Sequence, residues 1–318
     1  MGRTAIVSQP CPQATCLLNI LRNDYQEAGA VLDCVRVNRE PATPAGSPGG
    51  VEVARDLGLE ALTPRILKNS NNTIVHLAPA PVVAKVGTSH FRGVALETLE
   101  RELAVARHLA GKDVPIVRPT RDVPAGPYEA QGSIVTLWQF YEAQSADSLG
   151  ATELATRLRA VHEALRDITE PLPPFLVELE DAARLLSDLE RRSVLPDADL
   201  RLLQDVHVSL RTHLISETLS SRPLHGSPHE GNWLATGSGP LLLDFETACR
   251  GPLEWDLSAL GDDVASMFPG ADRDLLAILR RMRSLCVAVK CWIEPDRAPE
   301  VFEAAHVHLR LLRGEPVS

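Results

Sequence analysis

The sequence lacks a run of about 18 consecutive apolar residues, the length that a helix needs to cross the hydrocarbon core of a bilayer. Its N-terminal segment contains Pro10 and Pro12 and has no continuous apolar stretch, so a secretory signal is not expected. The 6 cysteines form no Cys-x-x-Cys pair and have no zinc-binding spacing. These absences argue against a membrane partner and predict a reduced, cytoplasmic protein.

Positive charge is scarcer than negative charge. The chain has 32 Lys and Arg residues against 42 Asp and Glu residues, which gives a net charge of −10 at pH 7. Proteins that bind nucleic acid are more often basic, so no nucleic-acid partner is expected. Lysine itself occurs only at Lys68, Lys85, Lys112 and Lys290. A lysine within an apolar run, such as Lys85, is therefore a candidate functional residue.

The most informative stretch is residues 225–246, which combines a turn-rich segment with two short apolar runs. Its proline and glycine residues disfavour a regular helix before Asn232. The apolar runs, residues 233–234 and 241–243, flank a Gly/Ser-rich turn and predict a β-hairpin. Such a hairpin presents the Asp244 carboxylate beside Asn232. Since Mg²⁺ prefers hard oxygen ligands, the stretch predicts a magnesium–triphosphate site.

This stretch resembles the catalytic loop and metal-binding strand of the aminoglycoside phosphotransferase and choline kinase group, relatives of the protein kinases. The loop of that group reads His-Gly-Asp-x-His-x-Gly-Asn, and an Asp-Phe-Asp or Asp-Phe-Glu strand end follows it. The chain matches the pattern at His225, Gly226, His229, Gly231, Asn232, Asp244, Phe245 and Glu246. One position departs from it, because Ser227 stands where the group has its catalytic aspartate.

The resemblance implies an α+β, two-lobed protein-kinase-like fold. Its small N-terminal lobe consists of an antiparallel sheet plus a helix, and its larger C-terminal lobe is mainly helical. We expect residues 51–140 to form the nucleotide-binding lobe and residues 141–318 to form the catalytic and substrate lobe. Residues 1–50 contain a segment rich in Pro, Gly, Ala and Ser, and we predict that they form a disordered extension.

The resemblance also implies ATP or GTP and Mg²⁺ as cofactors. The metal-binding residues that it implies are Asn232, Asp244 and Glu246. The candidate catalytic residues of the loop are His225, Ser227, His229 and Glu230. Of these, His225 is expected to orient the loop, whereas Ser227 cannot act as a base near pH 7. His229 and Glu230 lie nearby in sequence and are the two candidates to replace the missing base.

Three strands are predicted in the N-terminal lobe, at Arg65–Leu67, Thr73–Leu77 and Val82–Val86. Lys85 in the third strand resembles the lysine that holds the nucleotide phosphates in protein kinases, with a solvent-exposed edge lysine as the alternative. Its partner is expected on the helix Ala95–Ala110, where Glu102 is our choice and Glu100 its rival. The loop before the second strand contains no glycine. Asn71 tolerates positive φ, so this loop can still cover phosphates, and a plain polar turn is the alternative.

The apolar run Ser133–Trp138 predicts a strand that leads into the hinge between the lobes. Trp138 and Phe140 are placed to stack on adenine, with core packing as the alternative for each. Beyond the hinge, the spacing of Leu154, Leu158, Val161 and Leu165 predicts one face of a helix. Further helices are predicted at residues 51–62, 182–192, 199–216, 272–292 and 298–312.

Asp256 follows the metal strand and resembles a structural aspartate of the same group. It is expected to start a helix and to steady the catalytic loop, and N-capping accounts for it without a catalytic role. A protein kinase is not predicted, because Glu246 replaces the glycine of Asp-Phe-Gly and no Ala-Pro-Glu segment follows.

The function that the resemblance implies is phosphoryl transfer from ATP to a hydroxyl of a small molecule. An amine-bearing acceptor would suit the carboxylates of Glu254, Asp262 and Asp263. The alternative is that these three are ordinary acidic residues of the surface. Because Ser227 replaces the catalytic aspartate, a second hypothesis stays open. In that hypothesis the chain is a kinase-like module that binds a nucleotide or a small molecule without turnover.

Overall fold

The structure, a computed structural model, describes residues 48–69, 72–87, 92–145, 149–192, 194–297 and 299–315. These residues form the expected α+β protein-kinase-like fold, in which an antiparallel sheet with helices precedes a mainly helical lobe. Residues 1–47 of the predicted N-terminal extension lie outside the described residues, and so does Asn71. Within the described ranges, no helix is long and apolar enough to cross a membrane.

The N-terminal lobe contains a five-stranded antiparallel sheet. In sheet order its strands are β1 (Arg65–Asn69), β2 (Asn72–His76), β3 (Val82–Gly87), β5 (Ser133–Gln139) and β4 (Tyr128–Ala130). Helix α1 (Pro48–Asp56) packs on one face of the sheet, and helix α2 (Arg92–Ala110) packs on the other. Because both faces are covered, β3 and β5 are buried along most of their length and are largely apolar in sequence.

Helix α1 corrects two expected boundaries. It covers Pro48–Asp56 instead of residues 51–62, because Gly58 adopts a left-handed conformation with φ of 71°, which ends the helix. Val53 and Ala54 of this helix are buried against the sheet. A lobe boundary at residue 51 would divide this helix.

The C-terminal lobe is built from helices. They are α3 (Ala151–Leu165), α4 (Val177–Arg192), α5 (Asp197–Ser216), α6 (Leu253–Leu257), α7 (Asp262–Ala265), α8 (Arg273–Ile293) and α9 (Pro299–Arg313). The stripe predicted from Leu154, Leu158, Val161 and Leu165 is buried in α3, which confirms that helix. Helix α8 packs against α4, α5, α6 and α9, so it is enclosed on several sides and also buries polar side chains.

Two pairs of short strands frame the predicted catalytic loop. The pairs are β6 (Arg222–Leu224) with β9 (Cys249–Gly251), and β7 (Trp233–Leu234) with β8 (Leu241–Leu242). The second pair is the predicted hairpin, which is thereby confirmed. Between β6 and β7, Gly226 has φ of 93°, and a Cβ atom there would collide with the carbonyl group of Thr247. The loop therefore needs glycine at this position.

Candidate functional site

Lys85 lies at the centre of a cluster of three carboxylates. Its Nζ atom lies 2.8 Å from Oε2 of Glu102, 2.9 Å from Oδ1 of Asp244 and 2.6 Å from Oε1 of Glu246. Glu102 is the buried carboxylate of α2, whereas its rival Glu100 is exposed. Strand β3, helix α2 and the segment after β8 thus meet at the ammonium group of Lys85.

The electrostatics of this cluster favour a further cation. Burial alone would lower the pKa of Lys85, but the carboxylates of Asp244, Glu102 and Glu246 outweigh it and hold that pKa well above its usual range. The pKa of Glu102 is raised to about 8, mainly by burial and also by the charges of Asp244 and Glu246, which together outweigh the opposing effect of Lys85. A divalent cation would lower the pKa of Glu102 again and would balance the carboxylates that one ammonium group does not neutralise.

Asp244 is presented by an unusual backbone conformation at the end of β8. It adopts the left-handed region, with φ of 70° and ψ of 63°, directly before a short 3₁₀ turn at Phe245–Thr247. Phe245 is buried beside the His225 ring, at a centroid distance of 4.6 Å. Burial alone would raise the pKa of Asp244, but Lys85 outweighs it and lowers the pKa below its usual range. The carboxylate is therefore charged at neutral pH.

Asp256 anchors the catalytic loop through two backbone amides. Its Oδ2 atom accepts a hydrogen bond of 3.0 Å from N–H of His225, and its Oδ1 atom accepts one of 2.7 Å from N–H of Gly226. Asp256 is fully buried inside α6, and the residue before the first turn of that helix is Pro252. The expected N-cap role is therefore wrong, but the hydrogen bonds steady the loop.

His225 is committed to holding the loop together. The backbone N–H of Ser227 donates to its Nδ1 atom at 3.2 Å, so the ring hydrogen lies on Nε2, which donates to the carbonyl of Leu243 at 3.0 Å. Burial lowers the pKa of His225, which keeps this neutral form. Asn232 contributes in parallel, because its Nδ2 atom donates to the Ser227 carbonyl at 2.8 Å and leaves Oδ1 for a ligand.

His229 and Glu230 occupy different environments. The Nδ1 atom of His229 accepts a hydrogen bond of 3.1 Å from N–H of Gly231. Burial, reinforced by the charge of Arg283, lowers the pKa of His229 to about 4. Glu230 is exposed at the start of the 3₁₀ turn Glu230–Asn232. Of the two groups that the sequence suggested as replacement bases, His229 is thus already used as an acceptor.

Ser227 has a partner that sequence reasoning missed. Nη1 of Arg283, on helix α8, donates to the Ser227 Oγ atom at 3.3 Å, and Nη2 donates to the Gly226 carbonyl at 3.0 Å. The guanidinium also lies 4.1 Å from the centroid of the Trp255 ring. A single arginine within an amphipathic pattern gives no signal of this kind in sequence, because 56 residues separate it from Ser227.

The aromatic residues of the hinge have different surroundings. Trp138 is buried among apolar residues, with Nε1 donating to Oγ1 of Thr136 at 2.9 Å, which is the core-packing alternative. Phe140 is half-buried, and its ring stacks on that of His76 with a centroid distance of 3.7 Å. One face of Phe140 is therefore covered by His76.

Glu246 connects the two lobes. Nδ2 of Asn72, at the start of β2, donates to its Oε1 atom at 2.5 Å, and Nη1 of Arg101 in α2 donates to its carbonyl oxygen at 2.8 Å. Neither Asn72 nor Arg101 was selected from the sequence. The asparagine-rich segment of residues 68–72 was the one sequence feature near Asn72 that marked this end of the strand as polar.

The proposed acidic acceptor surface is largely engaged in the fold. Oε1 of Glu254 accepts a hydrogen bond of 2.8 Å from N–H of Asp272, and the Asp262 carboxylate lies 2.6 Å from Nη1 of Arg280. Asp263 is exposed. Two of the three carboxylates that sequence reasoning assigned to an amine thus have partners within the chain.

The donor set fits Mg²⁺. Ligand oxygens of Glu102, Asp244 and Glu246 lie within 4.8 Å of one another, and carboxylate oxygens are the ligands that this ion prefers. Asn232 is close to the metal strand, because its carbonyl accepts a hydrogen bond of 3.0 Å from N–H of Leu243. The residues that would hold the ion are Asp244, Glu246 and Asn232.

Known proteins with similar structures share this fold. The GDP and kanamycin complex of APH(2″)-IIia is 18% identical and has a TM-score of 0.60, with 83% of this chain and 96% of that chain covered. The choline kinase LicA from Streptococcus pneumoniae is 14% identical, with a TM-score of 0.61 and coverage of 83% and 98%. Spectinomycin phosphotransferase APH(9)-Ia, in complex with ADP and spectinomycin, is 12% identical, with a TM-score of 0.60 and coverage of 83% and 96%.

Sequence comparison identifies the family. No curated protein has a sequence that matches the chain. The sequence profile described as the phosphotransferase enzyme family matches residues 65–285, which include the strands around Lys85, the catalytic loop and the metal strand. The chain therefore belongs to the phosphotransferase enzyme family.

Proposed function

We propose that the chain transfers the γ-phosphoryl group of ATP or GTP to an oxygen atom of a small molecule, which in the resembled group is a hydroxyl. The observation that carries this proposal is the cluster in which Lys85 contacts Glu102, Asp244 and Glu246. A protein that only needed a stable core would gain little from three carboxylates around one buried ammonium, because desolvation of the charges is costly. A cytoplasmic location, where nucleoside triphosphates are abundant, is part of the proposal.

Each residue of the cluster has a role in this reaction. Lys85 would turn from Asp244 and Glu246 to the nucleotide phosphates, while Glu102 keeps its ammonium group in place. Asp244, Glu246 and Asn232 would hold Mg²⁺, which neutralises charge on the phosphate oxygens when it is bound. The hydrogen bonds that Asp256 accepts from the loop amides keep Asn232 and Ser227 at a fixed position relative to the metal strand.

Similar structures support a nucleotide and a small-molecule acceptor. They include a complex with GDP and kanamycin and a complex with ADP and spectinomycin. Both nucleotides occur among them, so ATP and GTP are separate arms of the test. An amine on the acceptor is not required by this proposal, because Glu254 and Asp262 already have partners.

A second function is favoured by one specific observation. Ser227 replaces the catalytic aspartate, and His225 and His229 both use their Nδ1 atoms as acceptors for backbone N–H groups. A hydroxyl acceptor would find no obvious base among these three residues. The alternative is a kinase-like module that binds a nucleotide without turnover.

Nucleotide binding tests the proposal. Mg·ATP or Mg·GTP should raise the melting temperature, because a ligand selective for the folded state stabilises it. Asp244→Ala should remove the part of the shift that depends on Mg²⁺, whereas the exposed control Asp263→Ala should retain it. A protein whose melting temperature responds to neither nucleotide would contradict the proposal.

Turnover separates the two functions. ADP or GDP release is to be measured with a panel of alcohols, amino sugars, carboxylates and phosphate esters. A nucleotide-binding protein that releases no diphosphate with any of them supports the module, and acceptor-dependent release supports the phosphotransferase.

A further inference from the structure

The environment of Ser227 specifies the chemistry of the acceptor. Transfer to a hydroxyl releases a proton, and general-base assistance to that step is typically worth about 10²–10⁴-fold. An aspartate at the loop position accepts the proton or a hydrogen bond from the acceptor. The hydroxyl of Ser227 does not replace this function, because it is not basic near neutral pH.

Arg283 makes the side chain at position 227 a hydrogen-bond donor instead of an acceptor. A guanidinium can only donate hydrogen bonds, so Oγ of Ser227 is the acceptor in the 3.3 Å contact with Nη1. The serine hydroxyl then keeps its own hydrogen to donate to a ligand. Ser227 is half-buried, so this donor is accessible at the loop surface. Position 227 therefore offers a hydrogen bond where the related enzymes offer a carboxylate.

The guanidinium is held firmly and retains its charge for this role. Nε donates to Oγ of Ser258 at 2.9 Å, and Nη2 donates to the carbonyls of Gly226 at 3.0 Å and Trp255 at 2.8 Å. All these acceptors are uncharged oxygens, and only 8% of the Arg283 surface is exposed. The carboxylates of Asp256 and Glu178 act on this guanidinium through their charge, but its hydrogen bonds end on neutral groups, one of which is the Ser227 hydroxyl.

The neighbouring residue His229 also presents a hydrogen atom. Nδ1 of His229 accepts from the backbone N–H of Gly231, so the hydrogen of the neutral ring lies on Nε2. His225 likewise accepts at Nδ1, from Ser227, and donates from Nε2 to the carbonyl of Leu243. The Nε2–H group of His229 is thus a hydrogen-bond donor, as is the hydroxyl group of Ser227.

We propose that the acceptor is an oxyanion, a carboxylate or a phosphate monoester, whose reacting oxygen carries no proton and is held by the Ser227 hydroxyl in front of Arg283. The proposal rests on the proposed phosphotransferase function. Arg283 is a positioning residue in it, because it acts through Ser227. The missing aspartate is then no defect, since this acceptor has no proton to remove.

The reaction balances without a base. One oxygen of the acceptor attacks the γ-phosphorus, the bond between that phosphorus and the β-γ bridging oxygen breaks, and its electron pair stays on the departing nucleoside diphosphate. A carboxylate yields an acyl phosphate, and a phosphate monoester yields a diphosphate ester. No proton is taken up or released when both reactants and products are in their fully ionised forms.

Binding of simple oxyanions tests the proposal first. The protein is saturated with Mg²⁺ and a non-hydrolysable ATP analogue, and acetate or inorganic phosphate is added to about 20 mM. We expect a rise in melting temperature beyond that of sodium chloride at equal ionic strength, because a ligand specific for the folded state stabilises it. Glycerol, a neutral hydroxyl compound, should give no comparable rise. The two anions distinguish a carboxylate site from a phosphate site.

Variants then locate the bound anion. Ser227→Asp should abolish the oxyanion shift while the nucleotide shift remains, because a carboxylate repels the ligand and occupies Arg283. Arg283→Met should abolish it as well, and Arg283→Lys should restore part of it, which a purely structural role does not predict. The matched control is Arg280→Met, which removes another buried arginine one helical turn away whose partner is Asp262. If Arg283→Met does not fold, the variants Ser227→Asp and Ser227→Ala still test the proposal, because position 227 is half-buried and lies in a loop.

The outcomes separate this proposal from the function on which it rests. A nucleotide shift without an oxyanion shift overturns the oxyanion proposal and leaves the phosphotransferase standing. An oxyanion shift that survives Ser227→Asp also overturns it, because the anion then binds elsewhere. The absence of any nucleotide shift overturns both. In turnover, release of ADP that glycerol or ethanolamine stimulates more than acetate and phosphate do would likewise contradict it.

Discussion

Nε2 of His162 lies 2.7 Å from Oδ2 of Asp256, although the two residues are 94 positions apart. His162 belongs to α3, so this contact ties a core helix to the aspartate that holds the catalytic loop. The loop is therefore supported from behind by a chain of hydrogen bonds that runs from His162 through Asp256 to the amide of Gly226.

Asp256→Asn should lower the free energy of unfolding by about 2 kcal/mol. The two carboxylate oxygens accept from His225, Gly226 and His162, and an asparagine would oppose one of these donors with its own NH₂ group. An unsatisfied buried donor costs about 1–3 kcal/mol. Urea denaturation at pH 7 measures the change, with the exposed Asp263→Asn as the control. A loss no larger than that of the control would contradict the role given to Asp256.

Lys85→Met should destabilise the protein, and Mg²⁺ should reverse part of the loss. Removing one partner of a buried ion pair costs about 3–5 kcal/mol, since it leaves the other charges uncompensated. Mg²⁺ can then balance Glu102, Asp244 and Glu246, so it should stabilise the variant more than it stabilises the parent. Unfolding is followed with and without millimolar Mg²⁺, and Lys112→Met serves as the control. Equal responses of parent and variant to Mg²⁺ would rule out a shared cation site.

His308 should make stability depend on acid pH. Burial, together with the charge of Arg283, lowers the pKa of His308 to about 4, and neither ring nitrogen has a hydrogen-bond partner among the described residues. Because the folded pKa lies below the usual 6.5, this neutral histidine contributes stability above pH 6.5 that is lost as the pH falls toward 4. The free energy of unfolding lost in this way is about 3 kcal/mol, at about 1.4 kcal/mol per pKa unit.

His308→Leu should therefore flatten the stability profile between pH 6.5 and pH 4. Chemical denaturation at several pH values measures this profile. Some slope should remain, because His229 also has a pKa of about 4 and titrates in the same range. A variant whose profile parallels that of the parent would show that His308 is protonated without cost in the folded state.

Ser227→Asp should stabilise the protein by about 1 kcal/mol, because the new carboxylate forms a charge-assisted hydrogen bond with Arg283. The gain should vanish in the Arg283→Met background, so a double-mutant cycle isolates the interaction. The same pairing would hold the carboxylate away from a hydroxyl acceptor and reduce the gain in turnover that a general base would give. A stability gain that persists without Arg283 would place the interaction elsewhere.

Deletion of residues 1–47 should leave the melting temperature nearly unchanged, whereas deletion of residues 1–56 should lower it strongly. The second deletion removes α1, and with it the buried side chains of Val53 and Ala54. Fully burying a valine side chain stabilises by about 1.5–3 kcal/mol. Thermal unfolding of the two truncated proteins gives the comparison, and a large loss in the shorter deletion would show that residues 1–47 contribute to stability.

Local features of the site were evident in the sequence. The hairpin of β7 and β8 followed from two apolar runs around a Gly/Ser turn, and this pattern fixes where Asp244 emerges beside Asn232. The strand that carries Lys85 and the helix that carries Glu102 followed in the same way from apolar periodicity. Such signals suffice because a hairpin turn and an amphipathic face are determined by residues that are close in the chain.

Only the tertiary structure decided what surrounds Ser227. Arg283 and His162 occupy helices that the sequence predicted, but nothing local distinguishes them from other polar residues of those helices. Their hydrogen bonds to Ser227 and Asp256 depend on how α8 and α3 pack around the loop. Sequence alone therefore established that the catalytic aspartate is missing. The packing of distant helices brought the Arg283 guanidinium into contact with Ser227, because the direction of a buried side chain is set by its neighbours in space.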